Sequence, residues 1–350
     1  MTVYLYGAGI VAYGIYKAVQ ELWGITVKGF LVTDKSGQPD LIEGIPVYSL
    51  KECREDLSES FILIAAPAEY QDSMEQELMR RGLTSYRRLD AHLEYELMGK
   101  YLRKVQGISF IEDYQTDRAV IRNEDACVYM AVSHKDKMLK GIYNEELWIK
   151  KIQAGAALTD KRILELTDEG KDSLSAENDL YGELTAVYYA WKHNRKKITG
   201  LFHYRRVLRI TGEQLHLLKT KKIDVILPLP FVCFPDASGQ YGRYILPQDI
   251  NIMKQVLKEY ERENYIELEN LLKSPYLYNY NILIARKEVF DDYCGWLFPM
   301  LRQIADRCEK EKRDRMPRYI GRIGEVMTSL YFMRNKKNWK ITHGEKVWRI

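Results

Sequence analysis

Short apolar runs alternate with amphipathic stretches along the chain, and the alternation begins at once. Val3 to Tyr6 reads as a strand running straight into Gly7-Ala8-Gly9. An amphipathic helix follows to about Trp23, and a second strand, Val27 to Val32, ends near Asp34. This is a βαβ start. Gly44 to Leu50 (GIPVYSL) continues it, Phe61 to Ala66 is a third buried strand, and Ala68 to Arg81 a further helix. Asp90 to Gln106 looks helical and is expected to link two domains. Residues 107–125 are polar and irregular, and the boundary falls there.

Beyond the boundary, Cys127 to Val132 is a strand ending in Ser133-His134-Lys135. The most informative stretch is Tyr181 to Arg206. Leu184, Val187, Tyr188 and Trp191 stand at helical spacing, so one helix face is buried. Ser175 and Asn178 lie upstream, where either could cap the first turn. A basic turn, His193 to Lys197, leads to a strand, Ile198 to Phe202, which breaks off into His203-Tyr204-Arg205-Arg206. Ile223 to Leu227 is another strand, stopped by Pro228 and Pro230. Phe231 to Asp249, rich in Gly, Pro and Tyr, reads as a long loop and a lid. Helical patterns follow at Asp249 to Tyr260, Ile266 to Lys273 and Phe290 to Cys308, with Trp296, Leu297 and Met300 most simply core. Tyr278 to Ala285 reads as one strand, and Arg322-Ile323-Gly324-Glu325 precedes a helix continuing through Leu330.

A length of 350 residues accommodates two cores. The predicted division is 1–106, a connector over 107–125, and 126–350. The net charge of +4 hides an asymmetry: residues 1–100 carry 10 Lys/Arg against 15 Asp/Glu, and residues 301–350 carry 14 against 6. A basic end of this kind suits peripheral contact with anionic lipid, or simply a solvated helix surface. No nucleic-acid-binding module accompanies it. Five scattered cysteines without a C-x-x-C fit reduced thiols in the cytosol, not disulfides or a zinc site. No signal peptide and no membrane span is recognisable. The expectation is a cytoplasmic protein, peripheral at most to the inner face of the cell membrane.

In an open α/β sheet, ligands gather beyond the carboxyl ends of the strands. At such an end, His203, Arg205 and Arg206 could hold a phosphorylated anion by charge-assisted bonds. A solvated edge or a structural ion pair would use the same residues. At the front of the chain, G-x-G-x-x-A-x-G is a variant of the dinucleotide fingerprint. Gly7 and Gly9 are its candidate phosphate contacts and Asp34 its candidate ribose-binding acid. A merely structural or regulatory role is equally open. A nicotinamide oxidoreductase would need a second, hydride-handling constellation, and none is visible.

Asp172, Ser175, Asn178, Glu183-Leu184-Thr185, Tyr188, Ala190-Trp191-Lys192, Gly200-Leu201 and His203 to Arg206 form an ordered set of blocks. With Asp224 to Pro228 and Tyr278 to Leu301, the set resembles a family of bacterial glycosyltransferases from capsular and exopolysaccharide biosynthesis. That family has long been catalogued only as a domain of unknown function. The resemblance covers roughly 127–332. Residues 1–106 are similar to the small Rossmann-like domain at the front of sugar-modifying acyltransferases, where it binds a nucleotide sugar. The resemblances imply an α/β protein, a Rossmann-like parallel-sheet domain followed by a GT-A-like glycosyltransferase domain. They imply a nucleotide-sugar donor, with a UDP-sugar favoured, and a glycan or lipid-linked oligosaccharide acceptor. A non-catalytic sugar-nucleotide-binding regulator or scaffold is the alternative.

The resemblance also implies site residues. His134 and Lys135 become candidate nucleotide contacts, and Gly155, in Gln153-Ala154-Gly155-Ala156-Ala157, a point of close backbone approach to the donor. Asp172 and Asn178 become candidates for ribose or sugar hydroxyls, although capping accounts equally well for Asn178. Asn279 is expected beneath the donor or acceptor sugar, and Glu325 is the candidate general base. Two departures from the family are Ser173, usually Asn, and Leu246-Pro247 where histidines are common. The place of a metal-binding Asp-x-Asp is filled by His203 to Arg206. Arg205, with Arg206, is therefore expected to take the cation's role, and a divalent Mn or Mg ion is not favoured.

Overall fold

The computed structural model describes residues 2–53, 56–116, 119, 121–122, 124–139, 141–278 and 280–349. The chain divides into two compact units. One comprises residues up to Ile108 with Phe231–Phe234, and the other Ser109–Pro230 with Pro235–Arg349.

The first unit is built on β1 (Thr2–Tyr6), α1 (Ile10–Trp23), β2 (Val27–Val32), β3 (Leu41–Ile42), β4 (Ile45–Ser49), β5 (Ser60–Ile64), α2 (Ala68–Arg80), β6 (Tyr86–Arg88) and α3 (Ala91–Gln106). The sheet order is β3-β4-β2-β1-β5-β6, parallel throughout except for the short β3–β4 pair. This is the expected Rossmann-like sheet. Asp90 caps α3 by accepting from the Leu93 N–H at 2.8 Å. Predicted as the connection between domains, α3 instead packs on α1, with Met98 against Gly14. Its apolar face is what the unit needs to cover that helix.

Gly7 has a φ of +131°, and a Cβ there would stand 2.4 Å from the Ala65 carbonyl oxygen. Its N–H donates to Leu31 O at 2.8 Å, so the turn is pinned between neighbouring strands. Gly7→Ala is expected to cost about 1–3 kcal/mol through overpacking and backbone strain. An unchanged urea midpoint would show that the turn has room to yield.

The second unit holds β7 (Ala126–Val132), β8 (Ile149–Gln153), α4 (Asn178–Tyr181), α5 (Leu184–His193), β9 (Ile198–His203), β10 (Arg206–Leu208), α6 (Gly212–Lys219) and β11 (Val225–Pro228). After β12 (Phe231–Val232) come α7 (Ala237–Tyr241), α8 (Pro247–Tyr260), α9 (Arg262–Lys273), β13 (Tyr276–Leu277), β14 (Leu283–Arg286), α10 (Lys287–Lys310), α11 (Tyr319–Arg334), β15 (Ile341–Gly344) and β16 (Lys346–Trp348). The sheet runs β15-β11-β14-β9-β7-β8, with β10 and β16 attached at the end of β9. Neighbours β7, β8 and β9 are parallel, β11 and β15 are parallel, and β14 is antiparallel to both β9 and β11. This mixed α/β sheet has the GT-A-like character the resemblance implied.

Three local readings change. Ser109 to Tyr114, placed in the connector, belong to the second unit, where Phe110 and Ile111 are buried. Tyr278 to Ala285 is not one strand: Tyr280 and Asn281 turn at φ +75° and +50° between β13 and β14. Phe231 to Asp249 is not all loop: it holds β12, α7 and the start of α8, and its Cys233, Tyr241 and Ile245 side chains are buried. All five cysteines are free, four of them buried. Among the described residues no helix is long and apolar enough to cross a membrane.

Candidate active site

The register of β7 on β9 places Ala131 beside His203, and the Tyr204 N–H donates to Ala131 O at 3.1 Å. Both strands therefore deliver their following turns to one place, beyond the carboxyl ends of parallel neighbours. After β7, Ser133 to Asp136 form a tight turn in which Asp136 Oδ2 accepts from the Ser133 N–H at 2.6 Å. After β9 the chain does not stay extended. Tyr204 and Arg205 are the turn of a hairpin, and Arg206 pairs back with His203.

A cavity of about 300 Å³ opens there. Ser133, Lys135 and Asp136 form one wall, Asp179, Glu183 and His203 another, and Arg318 closes a third side. Arg318 takes the left-handed conformation, φ +61°, at the start of α11, and its N–H donates to Asp179 O at 2.8 Å. Non-glycine residues held in this region concentrate at functional sites. Nothing in its sequence surroundings singled it out.

Electrostatics at the cavity are set by three arginines. Burial, then the charges of Arg206, Arg205 and Arg318, push the His203 pKa down to about 3. His203 is therefore neutral at ordinary pH. Its Nδ1 accepts from the Arg205 N–H at 3.3 Å, which leaves the proton on Nε2 as a donor. Burial raises the Asp136 pKa, opposed by the Ser133 N–H, Arg205, Arg318 and His134. Arg205 thus acts on two groups of the cavity wall. Arg206 is placed otherwise: its guanidinium lies 4.2 Å from the Tyr280 ring centre and 4.4 Å from that of Trp348. Burial lowers its pKa.

The remaining predicted residues scatter. Lys135 lines the cavity and pairs with Asp179 at 3.1 Å. His134 faces a second cavity, about 400 Å³, on the other side of the same turn, with Tyr204, Lys151, Lys161 and Arg349. Asn178 lines the first cavity, but its amide donates to Gly182 O at 2.8 Å and Thr185 Oγ1 at 2.9 Å, so it shapes the turn before α5. Gly155 has φ +70°, and a Cβ would lie 2.8 Å from Asn178. The N–H groups of Gly155 and Ala156 donate to buried Asp168, and that of Ala157 to Ser175 Oγ. Close approach there is thus to protein, and Ser175 caps no helix. Asp172 is exposed, accepts from Tyr188 and lies outside the cavity wall. Asn279 lies outside the described residues.

In the first unit, Asp34 Oδ1 accepts from the Ser36 N–H at 2.9 Å, a local turn. Gly9 occupies the N-cap of α1 without a side-chain cap.

Glu325 does not begin a helix, because α11 starts at Tyr319. It is absent from the cavity wall and accepts from the Tyr280 N–H at 3.2 Å. Glu183, which entered the sequence reading only as part of the block Glu183-Leu184-Thr185, lines the cavity itself. It accepts from Asn281 Nδ2 at 3.0 Å. No segment of Phe231 to Asp249 contributes to this cavity's wall.

Residues 128–337 match the family described as "Domain of unknown function (DUF4422)". The chain belongs to that family. Among solved structures, the chain is similar to the apo structure of WbbM, a bifunctional glycosyltransferase, with a TM-score of 0.56 and 21% identity. The likeness covers 64% of this chain and 45% of that one, so the chain spans less than half of WbbM's length. It is a likeness of fold. No curated protein matches.

Proposed function

We propose that this DUF4422 member is a glycosyltransferase moving a sugar from a nucleoside-diphosphate donor, a UDP-sugar, to a growing capsular, exopolysaccharide or lipopolysaccharide glycan. The carrying observation is the cavity at the ends of β7 and β9, lined by Arg318 and His203, with Arg205 outside its wall but near enough to act on His203 and Asp136, on a fold shared with a glycosyltransferase. A departing diphosphate needs stabilisation where its charge develops. Two guanidinium groups and the Nε2–H of His203 can supply it. Carboxylates of the cavity wall already have partners: Asp179 has Lys135, Asp136 the Ser133 N–H, and Glu183 Asn281. These partners support a site without a divalent cation, and no step here is routed through one.

The acceptor is proposed to be lipid-linked, met at the inner face of the membrane. Ion pairs engage Arg302, Arg307, Arg313, Arg315, Arg334 and Arg349 of the basic end. Contact with anionic lipid therefore falls to exposed lysines such as Lys310, Lys312, Lys336 and Lys337.

A panel of UDP-hexoses tests the function. At least one should raise the Tm, since a ligand bound only to the folded state stabilises it. The same compound should release UDP slowly in buffer containing EDTA. Binding without UDP release would favour the regulatory reading, neither response would remove the assignment, and strict Mn or Mg dependence would overturn the cation-free site.

A further inference from the structure

Two carboxylates, one on the cavity wall and one outside it, are organised by a single strained turn. Tyr280 and Asn281 are consecutive non-glycine residues with positive φ, +75° and +50°. Such conformations cost of order 1–3 kcal/mol each and persist only where the surroundings enforce them. Here the turn presents two donors: the Tyr280 N–H meets Glu325 Oε1 at 3.2 Å, and Asn281 Nδ2 meets Glu183 Oε1 at 3.0 Å. Asn281 is buried, and Thr328 Oγ1 lies 3.2 Å from its Oδ1, which fixes the amide with its nitrogen toward Glu183.

We infer that Glu183 is the general base that deprotonates the acceptor hydroxyl, with Asn281 positioning it and Glu325 held by the same turn. This rests on the glycosyltransferase reading. In the inverting reaction the acceptor O–H proton passes to the Glu183 carboxylate, and the acceptor oxygen bonds to the anomeric carbon. The bond from that carbon to the phosphate oxygen breaks, and its electron pair leaves with the diphosphate toward Arg205 and Arg318. Charge and atoms balance, and no oxidant or reductant is involved.

Glu325 does not suit the role of base. It is absent from the cavity wall, and burial followed by the charge of Glu183 pushes its pKa up to about 8. Arg322 on α11, the Tyr280 N–H and Arg206 on β10 oppose that shift without cancelling it. A like charge nearby disfavours ionisation of a carboxyl, so Glu325 holds its proton at neutral pH.

The test measures UDP release from the UDP-hexose that the wild-type protein turns over, across pH 5–10. Glu183→Gln should lower kcat about 10²–10⁴-fold, as expected for loss of a general base, while the Tm rise given by UDP itself is retained. Glu325→Gln, mimicking the protonated carboxyl, should abolish an alkaline limb near pH 8 and leave the acid limb in place. Wild-type-like turnover by Glu183→Gln would overturn the inference, as would Glu325→Gln being the more damaging change with no alteration of the profile. No UDP release by the wild-type protein with any donor would instead sink the glycosyltransferase reading beneath it.

Discussion

Arg205→Ala should lower UDP release about 10²–10³-fold, roughly 3–4 kcal/mol of lost transition-state stabilisation, while Tm moves by no more than a few degrees. The separation follows from how Arg205 is held. Its backbone N–H reaches His203 Nδ1, and its carbonyl accepts from the Arg349 N–H at 2.9 Å; alanine keeps both bonds. What alanine removes is the guanidinium whose charge acts on Asp136 and His203. Arg206→Ala should fail in the opposite way. That side chain is packed between the Tyr280 and Trp348 rings, so its loss should cost about 1–3 kcal/mol of stability. Chemical denaturation and UDP-release kinetics on both variants decide it. Full turnover in Arg205→Ala would remove the phosphate-gripping role.

Glu325→Gln carries the second large effect, on stability. A folded-state pKa of about 8 lies well above an unfolded carboxyl near 4.3. The folded state therefore binds the proton more tightly. Its contribution is complete below the unfolded value and is lost as pH rises through the folded one. Glutamine has nothing to lose over that window. The stability of Glu325→Gln relative to wild type should climb by on the order of 2–4 kcal/mol between pH 5 and pH 9. Because other titrations are common to both proteins, a difference that stays flat would show Glu325 ionised and well solvated in the folded state.

Much of the fold was legible in the sequence because strands and helices here are local decisions. The apolar runs over β1, β2, β5, β7 and β9 lie within a residue or two of their observed bounds. Errors arose where distant segments decide. The strand's break at His203 to Arg206 was visible, but not that pairing of Arg206 with Trp348 and of Val207 with Val347 folds the segment into a hairpin. Glycine, proline and tyrosine made 231–249 look like a loop. Yet Asp236 caps α7 by accepting from the Gly239 N–H, and Pro247 opens α8; both signals stood in the sequence.

The candidate site was readable in its charges and not in its geometry. Its cationic turn was found, but Arg318 and Asp136 reach the cavity only through tertiary structure. Glu183 sits at a helix start, where a carboxylate already has a sufficient local reason. Its second role emerges only when Asn281 arrives on the turn that leads into β14.

Arg349 and Trp348 clasp the turn after β9, through the Arg349 N–H to Arg205 O and the pairing of Trp348 with Arg206. The anion-gripping bend is therefore locked by a segment distant in the chain, and the parallel strands that precede it cannot hold it alone. A chain stalled shortly before Lys346 would leave Arg206 without one of its two rings and Arg205 without its carbonyl partner.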